Sequence, residues 1–366
     1  MSVLKKIVFT VTNDLNFDQR MHRICGSLSE NGYDVTLVGR RLPHSPALTN
    51  KPWKQKRLTC WFKRGKWFYA EYNIRLFIWL LFRRMDAVCA IDLDTIMPCY
   101  WSSYFKRTIR IYDAHELFTE LKEVISRPRV QRAWMKIEKK YLPRFKYGYT
   151  VSEGIAEEFR NRYGVNYATI RNMPVKEPIN PSWVPDQFIL YQGAVNEGRC
   201  FEQLIPAMQH IHSRLVICGD GNFMPQLHQL INQYHVQDKV ECLGMQTPEE
   251  LKKITGRARL GIALAVKEGL NQWLALPNKF FDYMHAGVPQ VTMDYPEYRR
   301  INEQFEIAVL LDEPDPVKIA DAVNHLLEND VLHHRLAGNC LQAREIYNWQ
   351  AEEKKLIAYY QQIFKH

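Results

Sequence analysis

Short apolar runs of strand length alternate with amphipathic helical segments through most of this 366-residue chain. The alternation starts with a strand-like run over residues 7–11, a helical segment over 18–30 and a second strand-like run over 33–38. Strand–helix–strand units with short links form parallel sheets through right-handed crossovers. The chain is long enough for two such domains, so we expect an α/β protein with two parallel sheets.

A proline-rich segment over residues 174–186 is the clearest division of the sequence. Its four prolines are typical of a linker between domains. We therefore expect an N-terminal domain over residues 1–176, a second domain over 187–345 and a terminal helical segment over 346–366.

The two halves of the sequence carry opposite net charge. Residues 1–178 hold 32 Lys and Arg against 17 Asp and Glu, a net charge of +15, whereas residues 179–366 hold 17 against 23, a net charge of −6. Such an excess predicts an anionic partner for the first half. Nucleic acid, an anionic membrane surface and a phosphorylated acceptor all fit. Because no nucleic-acid-binding motif accompanies the basic residues, we expect no nucleic acid partner.

Residues 61–84, WFKRGKWFYAEYNIRLFIWLLFRR, combine aromatic, basic and apolar side chains. Aromatic rings beside Lys and Arg suit a bilayer interface, so we favour contact with a membrane or an acceptor for residues 63–69. The apolar segment that follows is expected to pack on the first sheet. Its predicted core face consists of Ile74, Phe77, Ile78, Leu81 and Phe82.

The cysteines and the apolar runs indicate a reducing compartment. The eight cysteines have no paired or metal-binding spacing, and Cys89, Cys218 and Cys242 lie in strand-like runs where buried, reduced thiols are common. No apolar run is long enough for a membrane span. We expect a cytoplasmic protein, and the basic first half extends this expectation to the inner face of the cell membrane. We expect no metal and no cofactor.

Polar residues follow two strand-like runs of the first half. Asn13, Asp14 and Asp18 follow the first run, and His115 and Glu116 follow a later one. Ligands bind at the carboxyl edge of parallel sheets, so these residues are candidates for an acceptor-side site in which His115 exchanges hydrogen bonds with substrate hydroxyls. The alternatives are a helix cap by Asp18 and a capping cluster around His115. The first loop lacks the spaced glycines of a dinucleotide site.

In the second half, Gly193 opens a loop that leads to Arg199 at the start of a helical segment. An arginine at a helix start can bind a phosphate through two parallel hydrogen bonds. The alternative is an ordinary surface arginine. We also expect Glu202 to hold Arg199 in place.

Residues 276–291, LPNKFFDYMHAGVPQV, lie between two apolar strand-like runs and have the spacing and the Gly-x-Pro ending of a short helix. A helix that starts after a strand presents N–H groups and a positive dipole to a phosphate, and Asn278 and Lys279 lie at this start. Asp282, one turn later, can accept hydrogen bonds from paired sugar hydroxyls. The stretch predicts a nucleoside-diphosphate site, with an ordinary capped helix as the alternative.

The pattern N-K-x-F-[DE]-Y-M-x-x-G-x-P over residues 278–289 resembles the donor-binding motif of the two-domain GT-B glycosyltransferases, especially family 4, the glycosyl transferases group 1. Asp282 takes the position of the second glutamate of that motif, which binds the nucleotide ribose. Glu268 is the candidate for the first, although it lies fourteen residues earlier, a wider spacing than the family has. Asp113-Ala114-His115-Glu116 resembles the family's D-x-H-[DE] element, whose histidine approaches the transferred sugar.

Other positions are similar to family positions. Gly219-Asp220-Gly221 resembles a glycine turn before a helix, and Gly244-Met245 matches residues that contact the base. Of two basic residues that bind the diphosphate in the family, the first is replaced here by Ala194, and Arg199 takes the place of the second.

The resemblance implies two Rossmann-like domains facing a central cleft, with the C-terminal helix crossing back to the first domain. It implies transfer of a hexosyl group from a nucleoside-diphosphate sugar to a glycan or lipid-linked acceptor, in cell-surface polysaccharide or glycolipid synthesis, by a retaining and metal-independent mechanism. The implied catalytic residues are His115, Arg199 and Lys279. The implied donor-binding residues are Gly193, Arg199, Gly219, Gly221, Gly244, Met245, Glu268, Asn278, Lys279 and Asp282.

Two other functions remain open from the sequence. A nucleotide-sugar 2-epimerase on the same fold would need carboxylates and histidines of the first domain around one sugar. A non-catalytic module would use the basic half to bind a membrane or nucleic acid.

Overall fold

The chain divides into two compact units. A computed structural model describes residues 4–16, 18–178, 186 and 188–365. The first unit comprises Met1–Asn172 and Glu352–His366, and the second comprises Met173–Ala351. The predicted linker lies outside the described residues from 179 to 185, and the domain limits expected from the sequence remain predictions.

The first unit is built on a seven-stranded parallel sheet with the strand order β3-β2-β1-β4-β5-β6-β7. The order reverses between β1 and β4, which opens a ligand crevice at the carboxyl edge of such a sheet. The strands are β1 Lys6–Thr10, β2 Asp34–Arg41, β3 Lys54–Thr59, β4 Ala87–Ile91, β5 Ile109–Ala114, β6 Tyr147–Thr150 and β7 Ala168–Thr169. The helices are α1 Gln19–Glu30, α2 Gly65–Leu81, α3 Ile96–Lys106, α4 Lys122–Ile125, α5 Pro128–Tyr141 and α6 Glu153–Tyr163.

The second unit has a six-stranded parallel sheet in the order β10-β9-β8-β11-β12-β13, and its reversal lies between β8 and β11. The strands are β8 Phe188–Gln192, β9 Arg214–Cys218, β10 Val240–Gly244, β11 Leu260–Ala263, β12 Gln290–Met293 and β13 Ala308–Leu311. The helices are α7 Phe201–Ala207, α8 Met224–Gln233, α9 Pro248–Arg257, α10 Leu270–Leu274, α11 Asn278–Ala286, α12 Pro296–Phe305, α13 Pro316–Glu328 and α14 Asp330–Ala343. The predicted fold class of two parallel α/β domains is confirmed.

The C-terminal helix α15, Trp349–Lys365, completes the first unit. The Tyr359 hydroxyl donates to the carbonyl of Gly148 at 2.8 Å, and the hydroxyls of Tyr149 and Tyr360 lie 3.2 Å apart. Leu356, Tyr360 and Ile363 are buried there. The helix therefore supplies part of the core that strand β6 needs.

The buried face of α2 differs from the predicted one. Phe68, Tyr72, Leu76 and Leu80 are buried, whereas three members of the predicted core face are open to solvent. The exposed fractions are 59% for Ile74, 50% for Ile78 and 83% for Phe82. Apolar side chains are spread around much of the helix, so its periodicity does not select a single face. The Tyr72 hydroxyl donates to the carbonyl of Val11, and this bond belongs to the buried side.

The strand expected from the sequence over residues 58–62 is observed over Lys54–Thr59 instead, as strand β3. Its sequence, KQKRLT, is charged because β3 is the edge strand of the sheet, and edge strands tolerate exposed Lys and Arg. The helix expected over residues 201–210 is observed as α7 over Phe201–Ala207, and it ends one residue after Pro206. Of the helices in the described part of the chain, none combines the length and the apolar character that crossing a bilayer requires.

Candidate functional site

Two glycine loops meet at the carboxyl edge of the second sheet. The Gly193 N–H donates to the carbonyl of Cys218 at 2.9 Å, and the Val195 N–H donates to that of Asp220 at 3.0 Å. A β-carbon on Gly219 would lie 1.9 Å from the carbonyl oxygen of Gly193, and one on Gly221 would lie 2.2 Å from that of Val195. Only glycine fits at these positions, so the loops after β8 and β9 form one continuous backbone surface.

Lys279 lies against this surface in the first turn of α11. Its side chain is 9% exposed, its Nζ is 3.5 Å from the centroid of the Tyr191 ring, and Nζ has no hydrogen-bond partner among the described residues. Burial, and after it the charge of Arg199, lowers the pKa of Lys279 well below its ordinary value. The helix starts after Pro277 without a side-chain cap. A buried ammonium at an uncapped helix start is suited to bind an anion.

Arg199 lies close enough to Lys279 to affect its pKa, so the structure brings the two predicted cations together. No hydrogen bond or ion pair between Arg199 and Glu202 is present in the described part of the chain, so the expectation that Glu202 holds Arg199 is wrong. The two cations thus form a positive cluster that forms no ion pair with a described carboxylate.

Glu268 also belongs to this neighbourhood despite its distance from Asp282 in the sequence. The Val266 N–H donates to the carbonyl of Gly198 at 3.0 Å, which joins the loop after β11 to the Arg199 loop. The pKa of the Cys200 thiol is raised to about 12, first by burial and then by Glu202, with a smaller rise from Glu268, and is lowered by Arg199 and Lys279. Glu268 therefore lies within electrostatic range of the same thiol as both cations.

Asp282 is held by residues that the sequence did not single out. Its Oδ2 accepts a hydrogen bond from Gln192 Nε2 at 2.9 Å, and Gln192 Oε1 accepts one from the Thr255 hydroxyl at 2.7 Å. The Tyr283 hydroxyl donates to the carbonyl of Leu190 at 2.9 Å and anchors the same helix to β8. A buried glutamine at the end of an otherwise apolar strand was the only signal of this network.

The remaining donor-side candidates lie at the same edge of the second sheet. The Gly219 N–H donates to the carbonyl of Gly244 at 2.9 Å, so the end of β10 adjoins the glycine loops. The side chain of Met245 is 76% exposed, and Asn278 is the first residue of α11.

In the first unit, His115 follows β5 and lies between two carboxylates. Its backbone N–H donates to Asp92 Oδ1 at 2.8 Å, and its ring Nε2 is 3.2 Å from Asp113 Oδ2. Asp113 is also paired with Arg20 at 2.8 Å, and both side chains of this pair are buried. Burial would lower the pKa of His115, but Asp113 and Asp92 outweigh burial and raise it to about 9. His115 is therefore a hydrogen-bond donor at neutral pH.

Asp92 and Arg20 are functional candidates that the sequence did not assign. Burial raises the pKa of Asp92 to about 8, and its backbone is left-handed with φ of 54°. Strained non-glycine residues cluster at functional sites. The pairing of Ile91 with Asp113 places the ends of β4 and β5 side by side, which brings Asp92 to His115. The sequence offered one signal for Asp92, since two successive strand-like runs each lead into an aspartate.

The acceptor-side candidates have different surroundings. Asp14 is buried, and its carboxylate binds Arg57 at 2.6 Å and the hydroxyl of Ser45, so it stabilises the loop after β2. Asp18 caps α1 by accepting from the Met21 N–H at 3.1 Å. Asn13 is exposed at the end of β1, and Glu116 is close enough to raise the pKa of Asp92. No group of three or more potential metal ligands occurs among the residues that the structure describes.

Residues 176–341 match the family model of glycosyl transferases group 1. The matched segment contains Arg199, Glu268, Lys279 and Asp282, the residues around the positive cluster of the second unit. The resemblance predicted from the sequence is therefore confirmed for this part of the chain.

Two curated proteins are similar over part of the chain. N-acetyl-alpha-D-glucosaminyl L-malate synthase of Bacillus anthracis is 23% identical over 154 residues, which are 42% of this chain and 38% of that protein. Phosphatidyl-myo-inositol mannosyltransferase of Mycobacterium leprae is 31% identical over 80 residues, which are 22% of this chain and 21% of that protein. The matched stretches thus cover less than half of either relative.

Solved structures match the chain over nearly its whole length. Sucrose-phosphate synthase from Thermosynechococcus elongatus has a TM-score of 0.81 at 16% identity and is matched over 99% of both chains. Anabaena HepE in complex with UDP has a TM-score of 0.76 at 12% identity, over 98% of this chain and 100% of that one. The protein thus has the fold of the GT-B glycosyltransferases.

Proposed function

We propose that the protein is a glycosyltransferase that moves a hexosyl group from a nucleoside-diphosphate sugar to a glycan or lipid-linked acceptor. The observation that carries the proposal is the positive cluster of Arg199 and Lys279 beside the glycine loops of the second unit. A diphosphate can form ion pairs with this cluster, because it brings two adjacent negative charges to cations that have no ion-pair partner among the described residues. The HepE structures with UDP and with UDP-glucose support a nucleotide-sugar donor.

In the proposed reaction, negative charge develops on the departing diphosphate. Arg199 and Lys279 are held in place before the reaction starts, so they stabilise this charge without reorganisation of solvent. Two protein cations supply the charge that a metal supplies in other transferases, and on this ground we propose a metal-independent reaction. We further propose the retaining outcome that the family resemblance implies.

The proposed donor contacts follow from the surroundings of each side chain. Asp282, oriented by Gln192, binds the ribose hydroxyls, and Glu268 binds the sugar. In the first unit, His115 donates a hydrogen bond to a sugar hydroxyl, while Asp113, which lies 3.2 Å from its ring, favours the protonated imidazole. The proposed product belongs to a cell-surface polysaccharide or a glycolipid.

Donor binding is tested by thermal shift with a panel of nucleoside diphosphates and their sugars. A ligand at a hundred times its dissociation constant stabilises the folded protein by about 2.7 kcal/mol. Lys279→Ala, Arg199→Ala and Asp282→Ala should each weaken binding roughly ten- to a hundredfold, because a charged hydrogen bond contributes about 1.5–3 kcal/mol. Lys318→Ala, which changes an exposed lysine of the same unit, is the control. Unchanged affinity in all three site variants would remove the donor-site assignment.

The transferase and epimerase proposals differ in what happens to the donor alone. A transferase releases the nucleoside diphosphate and transfers the labelled sugar to an acceptor fraction. Conversion of the donor to its 2-epimer in the absence of any acceptor would replace the transferase proposal by the epimerase one.

We also propose that the first unit binds an anionic membrane surface. The open face of α2, with Ile74, Ile78 and Phe82, continues onto α3, where Tyr104 and Phe105 are 57% and 63% exposed. The rings of Phe77 and Phe105 lie 6.3 Å apart and connect the two helices. Exposed cations adjoin both ends of α2, namely Lys63, Arg64, Lys66, Arg83 and Arg84. An apolar face bordered by cations suits an interface with anionic lipids.

Vesicle sedimentation tests this surface. Phosphatidylglycerol vesicles should bind the protein and release it as salt rises, and Ile78→Gln combined with Phe82→Gln should weaken binding without loss of donor binding. Equal binding to phosphatidylcholine vesicles, or binding that is indifferent to these substitutions, would contradict the proposal.

A further inference from the structure

One cavity of the first unit lies apart from the donor-side and acceptor-side candidates and shares only Lys63 with the proposed membrane surface. It measures about 300 Å³ and lies where β2 and β3 end and α2 begins. None of the donor-side or acceptor-side candidates lines it. The carboxyl edge of a parallel sheet, where this cavity opens, is the usual place for ligands in open α/β folds.

The cavity is strongly positive. Its lining includes the cations Arg40, Arg41 and Lys63 and contains no carboxylate. Arg41 and Lys63 are exposed, and neither side chain forms a hydrogen bond or an ion pair within the described part of the chain. Three neighbouring cations repel one another, so an anion bound among them is stabilised by all three.

Arg40 is the most constrained of the three cations. Its guanidinium lies 4.5 Å from the centroid of the Phe68 ring, and its Nε is buried with no hydrogen-bond partner. The carboxyl group of Asp94 lies near Arg40. The charge of Arg40 lowers the pKa of Asp94, but no hydrogen bond joins the two side chains. An aromatic ring thus positions a planar group whose N–H donors have no hydrogen-bond partner among the described residues. Such a group favours a tetrahedral oxyanion, which can accept two parallel hydrogen bonds from it.

We propose that this cavity binds the phosphate group of a phosphorylated acceptor. The designation of that ligand as acceptor rests on the proposed transferase function, whereas the assignment of a phosphate site does not. A soluble sugar phosphate and a lipid phosphate share this chemistry. The side chains beside Lys63 extend the surface for an apolar tail, since Trp61, Phe62 and Trp67 are 82%, 50% and 61% exposed.

The test is isothermal titration of the full-length chain carrying Arg199→Ala and Lys279→Ala, which silence the proposed diphosphate site of the second unit. The probes are inorganic pyrophosphate, glucose 1-phosphate and farnesyl phosphate. Arg40→Gln should weaken binding of each probe at least tenfold. The double variant Arg41→Gln/Lys63→Gln alters only exposed side chains, so it should have the same effect without a risk to folding. Arg40→Lys should recover part of the affinity, because it restores the charge but not the planar fork.

Lys56→Gln is the matched control, because Lys56 is an exposed cation of strand β3, next to the strand of Arg40 and Arg41, and does not line the cavity. It should leave all three affinities within twofold. Unchanged affinities in Arg40→Gln and in the double variant, or an equal loss in Lys56→Gln, would overturn the proposal. Tighter binding of farnesyl phosphate than of glucose 1-phosphate assigns the site to a lipid acceptor, and the reverse order assigns it to a soluble one. The donor-site proposal is tested separately, because it fails if the unmodified protein does not bind nucleoside diphosphates.

Discussion

Among single residues, Lys279 has the environment with the clearest chemical consequence. Its ammonium is buried beside Arg199, and both burial and this neighbouring charge favour the neutral amine. A bound diphosphate reverses the balance, because two negative charges stabilise the protonated form. Binding of the donor should therefore raise the pKa of Lys279 and favour its protonated form.

We accordingly expect uptake of protons when a nucleoside diphosphate binds. The pKa of Lys279 is lowered in the free protein and rises in the complex, so uptake occurs at pH values between the two, and affinity falls as pH increases across that interval. Calorimetry in buffers of different ionisation enthalpy measures the number of protons taken up. Lys279→Met should remove the uptake, whereas Lys318→Ala should not. Proton uptake that survives in Lys279→Met would assign it to another group.

Gly219 gives a second prediction at this scale, because its substitution acts on the backbone of the site. Gly219→Ala would place a β-carbon 1.9 Å from the carbonyl oxygen of Gly193 and push the two loops apart. We expect a lower melting temperature and at least a tenfold loss of nucleoside-diphosphate affinity. In Gly338→Ala, the matched control within helix α14, the added carbon meets nothing within 4 Å. That change should leave binding intact and stabilise the fold by about 0.5–1 kcal/mol.

Helix α2 shows, among the elements, what an amphipathic pattern can and cannot determine. Its existence follows from the sequence, but an apolar helix offers several possible core faces. The structure selects the face with Tyr72 and Leu76, and the opposite face, with Ile74 and Ile78, remains open.

Stability measurements distinguish the two faces of α2. Leu76→Ala should cost about 2–5 kcal/mol of unfolding free energy, since it removes buried methyl groups from a packed core. Ile78→Ala should change it by about 0.5 kcal/mol or less, because the side chain is half exposed. Urea denaturation measures both. Similar losses in the two variants would mean that the face with Ile78 is covered in solution.

Local patterns predicted most elements of the fold, and the failures have identifiable causes. The sequence predicts a helix over residues 316–328 and a strand over 87–91, which are the observed limits of α13 and β4, and Gly287 ends α11 as expected. Strand β3 was predicted too late in the sequence. Apolar periodicity reveals strands with a buried face, whereas half of the side chains of β3 are charged and most are at least partly exposed.

The candidate site was predicted where one segment carries the chemistry, as for Lys279 and Asp282. The sequence did not reveal the partner residues that come from distant strands. The hydrogen bond of Gln192 to Asp282 spans 90 positions, and the ion pair of Arg20 with Asp113 spans 93. Such pairs depend on sheet register and strand order, which no local pattern contains.

At the scale of the whole molecule, the first unit is discontinuous, because its last helix follows the second unit in the chain. Removal of residues 352–366 should therefore destabilise the first unit, since Leu356, Tyr360 and Ile363 leave its core. The second unit keeps all of its strands in this variant and should still bind nucleoside diphosphates. Calorimetric melting with and without the nucleotide measures both effects. An unchanged melting profile would show that α15 contributes little to the first unit.

The same discontinuity has a consequence for synthesis on the ribosome. The second unit is one continuous stretch and can fold as soon as it emerges, whereas the first unit lacks α15 until the second unit has been made. During that interval, the surface around Tyr149 is uncovered, and exposed apolar strands are prone to aggregation. We therefore expect the nascent first unit to be most prone to aggregation during the time required to translate the second unit, about half of the chain.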